Sequence, residues 1–85
     1  MTATHPELVF SQVAETVATI AGVPMDQIAG DTELIRDLNL DSLAMYEIVI
    51  DLEEAFDLKI SDSDLDKIRT VNDAVHYILA ASSAE

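Results

Sequence analysis

The stretch Asp41-Ser42-Leu43-Ala44-Met45-Tyr46-Glu47-Ile48-Val49-Ile50-Asp51-Leu52-Glu53-Glu54-Ala55-Phe56 decides the fold. Asp41 carries a side chain suited to accept from backbone N–H groups two or three residues on, and an apolar-periodic run follows it directly. The segment therefore reads as a helix capped by Asp41 and ending near Phe56. Ile48, Val49, Leu52 and Phe56 fall on one stripe and are expected in a core. Tyr46 and Ile50 fall to one side, among Glu47, Asp51, Glu53 and Glu54, so this helix offers more apolar surface than folding needs.

Upstream, Val9, Val13, Val17 and Ile20 recur at steps of four and three, with Phe10 and Ala21 widening the stripe, which predicts a helix from Glu7 to Ala21. Thr4 or His5 is placed to cap it, Pro6 fits its first turn, Glu7 suits its positive end, and Gly22 stops it. Val23 to Asp41 then reads as a long ordered loop pinned by Val23, Ile28, Leu34, Ile35, Leu38 and Leu40. Downstream, Ser61 or Asp62 caps a short helix reaching Asp66 or Lys67, flanked by the anchors Ile60 and Ile68. Thr70 caps a last helix whose Val71, Ala74, Val75 and Ile78 share a face, and residues 80–85 read as a frayed tail, as do residues 1–5. The expected fold is all-α: a small four-helix bundle of three principal helices and one short one, with a long first loop.

Composition agrees with that fold and narrows the function. Eighty-five residues make one domain, which hides only about 60 to 65% of the surface its unfolded chain exposes. The chain is 49% hydrophobic with two Phe, two Tyr and no Trp, so the core must be aliphatic. Seventeen Asp and Glu against four Lys and Arg give a net charge of -13, which repels phosphate backbones and anionic lipid and argues against a nucleic-acid partner. Twelve of those seventeen acids lie between Asp31 and Asp66. With no cysteine there is no disulfide, thiolate metal site or cysteine nucleophile, which fits a cytoplasmic protein. Neither an export signal nor a membrane-spanning run is found, and a monomer is expected.

Three constellations bear on chemistry. Asp37-x-Asn39-x-Asp41 opens like a calcium loop, but Ser42 stands where the turn glycine belongs and Ile48 where the bidentate Glu belongs. Asp62, Asp64 and Asp66 repeat the spacing with Lys67 and Asp73 at those two places. No metal site is expected beyond weak surface binding. His5 and His76 are the only histidines and neither is near Ser42 in sequence, so autonomous catalysis is not expected. The third constellation is Asp41-Ser42-Leu43. A serine at a helix start is ordinarily a cap, but Asp41 is the better one, which leaves the Ser42 hydroxyl free to carry a phosphate at a positive helix end.

Asp37-Leu38-Asn39-Leu40-Asp41-Ser42-Leu43, with Glu47-Ile48-Val49, Leu52-Glu53-Glu54-Ala55-Phe56, Ile60-Ser61-Asp62, Thr70-Val71-Asn72-Asp73-Ala74-Val75 and Tyr77-Ile78, resembles the acyl carrier proteins of the dissociated fatty-acid-synthase type. The resemblance implies a 4'-phosphopantetheine on Ser42, taken from coenzyme A by a magnesium-dependent transferase, whose thiol carries acyl groups in fatty acid synthesis. It implies partner contacts through Asp41, Leu43, Tyr46, Glu47, Ile50, Asp51 and Glu54. The partners implied are the phosphopantetheinyl transferase (holo-carrier synthase), malonyl transferase, ketosynthases, reductases and dehydratase. It also implies an acyl pocket bounded by Val13, Leu52, Phe56, Ile60, Ile68 and Ala74. The chain departs from the family in having Asn39 for the usual Gly three residues before the serine, Ala44 for a frequent acid, and Ser61 for a frequent Pro. Asn tolerates a left-handed backbone, so the turn is expected to survive. A carrier of polyketide or other specialised acyl assembly is an open alternative, and an unmodified acidic interaction or cation-buffering domain is another.

Overall fold

The computed structural model describes residues 5–83, with side chains through residue 81. In chain order its helices are α1 (Pro6–Ala21), α2 (Ser42–Phe56), α3 (Asp62–Lys67) and α4 (Val71–Ser83), and a 3-10 turn Met25–Gln27 interrupts the first loop. Among the described residues there is no strand, only an isolated antiparallel bridge between Glu33 and Thr70.

α1 packs against both α4 and α2, which explains why its buried face is wider than the valine stripe. Val9, Val13 and Val17 are buried as expected, and Ala14, Thr16 and Ala18 are buried as well. Small residues there let two helices approach one. His5 provides the extended backbone before α1 without a side-chain cap, and Thr4 lies outside the described residues. Gly22 ends α1 at φ 74°, a left-handed turn in which its N–H and that of Val23 both donate to the Ala18 carbonyl.

The core collects Val13, Val17, Leu34, Leu52, Val71 and Ile78 at near-zero exposure. Removing each such side chain from water contributes about 1.5 to 3 kcal/mol. Phe56, expected in the core, is only half-buried at the end of α2, while Met45 joins the buried stripe one turn earlier than expected.

The first loop is stapled to the head of α4. The Val71 N–H donates to the Thr32 carbonyl (3.2 Å), that of Leu34 to the Arg69 carbonyl (2.9 Å) and that of Asn72 to the Gly30 carbonyl (2.8 Å). The buried Thr32 uses its hydroxyl to accept from the Ala29 N–H at 2.9 Å. A Cβ on Gly30 would stand 2.6 Å from Asn72 Oδ1, so a larger residue there would have to displace the Asn72 side chain. Of the expected anchors, Ile28, Leu34 and Leu40 are buried and Val23 and Leu38 half-buried, but Ile35 is 60% exposed. Ile35 is therefore not an anchor: its neighbour Leu34 takes the inward place, and the turn Glu33–Asp37, closed by Asp37 N–H to Glu33 carbonyl, points the next residue outward.

α4 also differs from expectation. It continues to Ser83 rather than fraying at Ala80. Leu79 and Ala81 are half-buried there, so the last turns are held by packing. Residues 84 and 85, like 1–4, lie outside the described set.

Candidate functional site

Ser42 is the first residue of α2, and its position follows from two neighbours. Asn39 adopts φ 57°, the left-handed conformation the sequence reading required, and turns the chain into α2. Asp41 then caps the helix: the Ala44 N–H donates to Asp41 Oδ1 at 2.9 Å, and the Met45 N–H to the Asp41 carbonyl at 3.0 Å. With the capping role taken by Asp41, the Ser42 hydroxyl is exposed and has no protein partner among the described residues. The N–H groups of Ser42 and Leu43 have no intrahelical acceptor, as at any helix start.

Ser42 opens on a shallow cleft of about 220 Å³ lined by Ile35, Ser42, Met45, Tyr46, Leu65 and Asp66. Three elements meet there: the first loop, α2 and α3. Ile35, Met45, Leu65 and Asp66 carried no such role in the sequence reading. Met45 had a detectable signal, since it lies three and seven residues before Ile48 and Leu52 on the buried stripe. The other three are brought in by tertiary packing alone.

One face of α2 presents Leu43, Tyr46 and Ile50 at 67%, 48% and 52% exposure. Glu47, Asp51 and Glu54 are exposed beside them, and Asp41 is exposed at the head although its carboxylate is engaged in the cap. The seven residues singled out for partner contact thus share an accessible apolar and acidic surface. Glu53 differs: its carboxylate accepts from the Ile60 N–H at 2.8 Å and closes the α2–α3 connection.

The six residues expected to bound an acyl pocket all belong to the core or its edge. Val13, Leu52, Ile68 and Ala74 are buried, and Phe56 and Ile60 are half-buried against them. None of the six lines the cleft at Ser42.

Each acidic triplet has a member with an internal partner. Asp37 Oδ2 accepts from the Glu33 N–H at 2.8 Å, and Asp64 Oδ2 accepts from the Tyr77 hydroxyl at 2.9 Å. Among the described residues no three Asp, Glu or His side chains converge to hold a metal. His5 lies 3.8 Å from Glu7 at the start of α1, and His76 is exposed on α4. Among the described residues no helix is long and apolar enough to cross a membrane.

Residues 11–78 match the family described as "Phosphopantetheine attachment site". The chain is 42% identical over 73 residues to an acyl carrier protein of Kineococcus radiotolerans, covering 86% of this chain and 90% of that one. It is also 42% identical over 72 residues to an acyl carrier protein of Thermotoga maritima, covering 85% and 89%. A solved structure of the acyl carrier protein from Enterococcus faecalis superposes with a TM-score of 0.79 at 36% identity, covering 92% of this chain and 99% of that chain. The helical order, the exposed serine at the head of α2 and these similarities converge: the chain belongs to the acyl carrier proteins of the phosphopantetheine-attachment family, which carry a covalently attached 4'-phosphopantetheine.

Proposed function

We propose that Ser42 is the attachment residue and that the chain shuttles acyl groups between the enzymes of fatty acid synthesis. The observation that carries this is the Ser42 hydroxyl, exposed and unpartnered at the start of a 15-residue helix while Asp41 performs the capping. The residues fit the group. A phosphate ester there meets the unsatisfied N–H groups and positive end of α2, and the cleft walls of Ile35, Met45 and Tyr46 provide apolar contact beside it. When bound, the arm supplies a thiol for thioester formation, which this cysteine-free chain lacks. In the attachment step the Ser42 Oγ forms a bond to the pantetheine-side phosphorus of coenzyme A, the pyrophosphate P–O bond breaks, and 3',5'-adenosine diphosphate leaves. The hydroxyl proton passes to a base on the transferase.

The exposed face of α2 is proposed as the docking surface for phosphopantetheinyl transferase, malonyl transferase, ketosynthases, reductases and dehydratase. Leu43, Tyr46 and Ile50 supply apolar contact, and Asp41, Glu47, Asp51 and Glu54 attract basic patches. A carrier must leave each enzyme after one step, and charge steering raises on-rates without requiring a large interface. The core around Val13, Leu52, Ile68 and Ala74 is proposed to shelter an acyl chain by parting at its half-buried rim, Phe56 and Ile60.

The test is to incubate the full chain with coenzyme A, magnesium and a promiscuous phosphopantetheinyl transferase and to measure its mass. The expected result is a gain of one phosphopantetheinyl group that Ser42→Ala abolishes. No gain, or an equal gain on Ser42→Ala, overturns the assignment. Loading of the modified chain by a malonyl transferase of fatty acid synthesis, in preference to one of polyketide assembly, tests the pathway.

A further inference from the structure

α3 forms one wall of the Ser42 cleft through Leu65 and Asp66, yet none of its six residues is buried. A wall with so little packing needs another fastening, and the hydrogen bonds supply it. From α4, the Tyr77 hydroxyl lies 2.8 Å from the Lys59 carbonyl and 2.9 Å from Asp64 Oδ2. Lys59 belongs to the α2–α3 connection and Asp64 to α3 itself, so the single hydroxyl proton is shared between two acceptors and one side chain holds both close to α4. From the other side, Glu53 holds the same connection through the Ile60 N–H. A hydroxyl donating to a carboxylate makes one of the stronger hydrogen bonds available to uncharged donors. Burial first, then the bond to Asp64 and the negative charges of Asp64 and Glu53, push the Tyr77 phenol above its ordinary value of 10.0. It therefore stays a donor at neutral pH.

We infer that Tyr77 is a positioning residue for the Ser42 site, fixing α3 against α4 and so setting where Leu65 and Asp66 stand across the cleft from Ser42. Tyr77 does not line the cleft; it acts through α3. The bearing of this fastening on the arm rests on the assignment of Ser42, whereas the fastening itself does not.

Tyr77→Phe keeps the ring and removes the donor, and Asp64→Ala removes the acceptor on α3 while leaving the Lys59 carbonyl. Native-state hydrogen exchange on the full chain reads the Leu65 amide, bonded to the Ser61 carbonyl, and the Ile68 amide, bonded to the Leu65 carbonyl. Both amides are expected to exchange about tenfold faster in Tyr77→Phe and less so in Asp64→Ala, which leaves the bond to Lys59, with no increase beyond Tyr77→Phe in the double variant and little change in α1. A polarity-sensitive dye delivered to Ser42 from a coenzyme A conjugate is expected to emit further to the red in Tyr77→Phe, as the cleft loses its fixed wall. Unchanged α3 exchange, an increase spread evenly over the chain, or faster α3 exchange with unchanged emission would each overturn the inference. If no dye attaches to Ser42, the assignment of Ser42 fails and the exchange pattern alone decides whether Tyr77 fastens α3.

Discussion

Thr70 and Asp73 cap α4 reciprocally: the Asp73 N–H donates to Thr70 Oγ1 at 3.1 Å, and the Thr70 N–H donates to Asp73 Oδ2 at 3.1 Å. The Arg69 N–H donates to the same carboxylate oxygen at 3.0 Å. This cap sits where the first loop is stapled to α4, so it secures two elements at once.

The Arg69 N–H is the largest influence holding the Asp73 carboxyl below its ordinary value of 3.8, with Thr70 and His76 adding to it and burial opposing. A lowered folded-state value means the contribution is complete above pH 3.8 and is lost as pH falls through the lowered value. Asp73→Ala is expected to cost about 1 kcal/mol at neutral pH. Thermal melts of the two proteins from neutral pH downward should converge below pH 3.8; a gap that stays constant into acid contradicts the assignment.

Asn39 occupies φ 57° two residues before the cap of α2. Asn and Ala both carry a Cβ, but the short polar side chain of Asn offsets the left-handed cost locally and that of Ala does not, so Asn39→Ala is expected to destabilise by up to about 1 kcal/mol, whereas Asn39→Gly should change stability by only a few tenths. Denaturant midpoints of the two variants check the ordering, and equal midpoints contradict it.

Glu47 is exposed beside Tyr46 and Ile50 on the proposed docking face. Glu47→Lys is expected to lower the association rate with the transferase by several-fold at low salt and to flatten its salt dependence, with dissociation changed less. Stopped-flow binding across ionic strengths measures both slopes. An unchanged low-salt on-rate would remove Glu47 from the steering role.

A net charge of -13, with twelve acids between Asp31 and Asp66, sets like charges close together in the folded chain. Screening falls to a Debye length of about 8 Å at physiological ionic strength, so melting temperature is expected to rise with added salt and further with magnesium at equal ionic strength. A melt insensitive to both would show that the repulsion is already relieved within the fold.

Much of this was legible in the chain. Asp41 announced α2, Ser61 or Asp62 α3, where Ser61 is the cap, and Thr70 α4, because a cap is a local interaction between a side chain and the N–H groups just ahead of it. The buried face of α4 followed from helical spacing, as did that of α2 apart from Met45 and Phe56, and Asn39 was legible as a left-handed turn because only a few residue types tolerate that conformation. The helix limits were less secure: α4 runs to Ser83, through the strong helix formers Leu79, Ala80 and Ala81, with Leu79 and Ala81 half-buried.

By itself, then, the sequence determined the helical order, the caps, the acidic face of α2 and the placing of Ser42 at its head. Each depends on residues within a turn or two of one another. The tertiary structure decided that Ile35 turns outward, that Leu65 and Asp66 stand across from Ser42, and that Tyr77 reaches Lys59 and Asp64, 18 and 13 residues away. Those relations join elements distant in the chain, and their geometry is fixed only when α1 packs against both α2 and α4 and the first loop is bonded to the head of α4. No periodicity or spacing encodes them, because contact between distant elements depends on how the whole core fills.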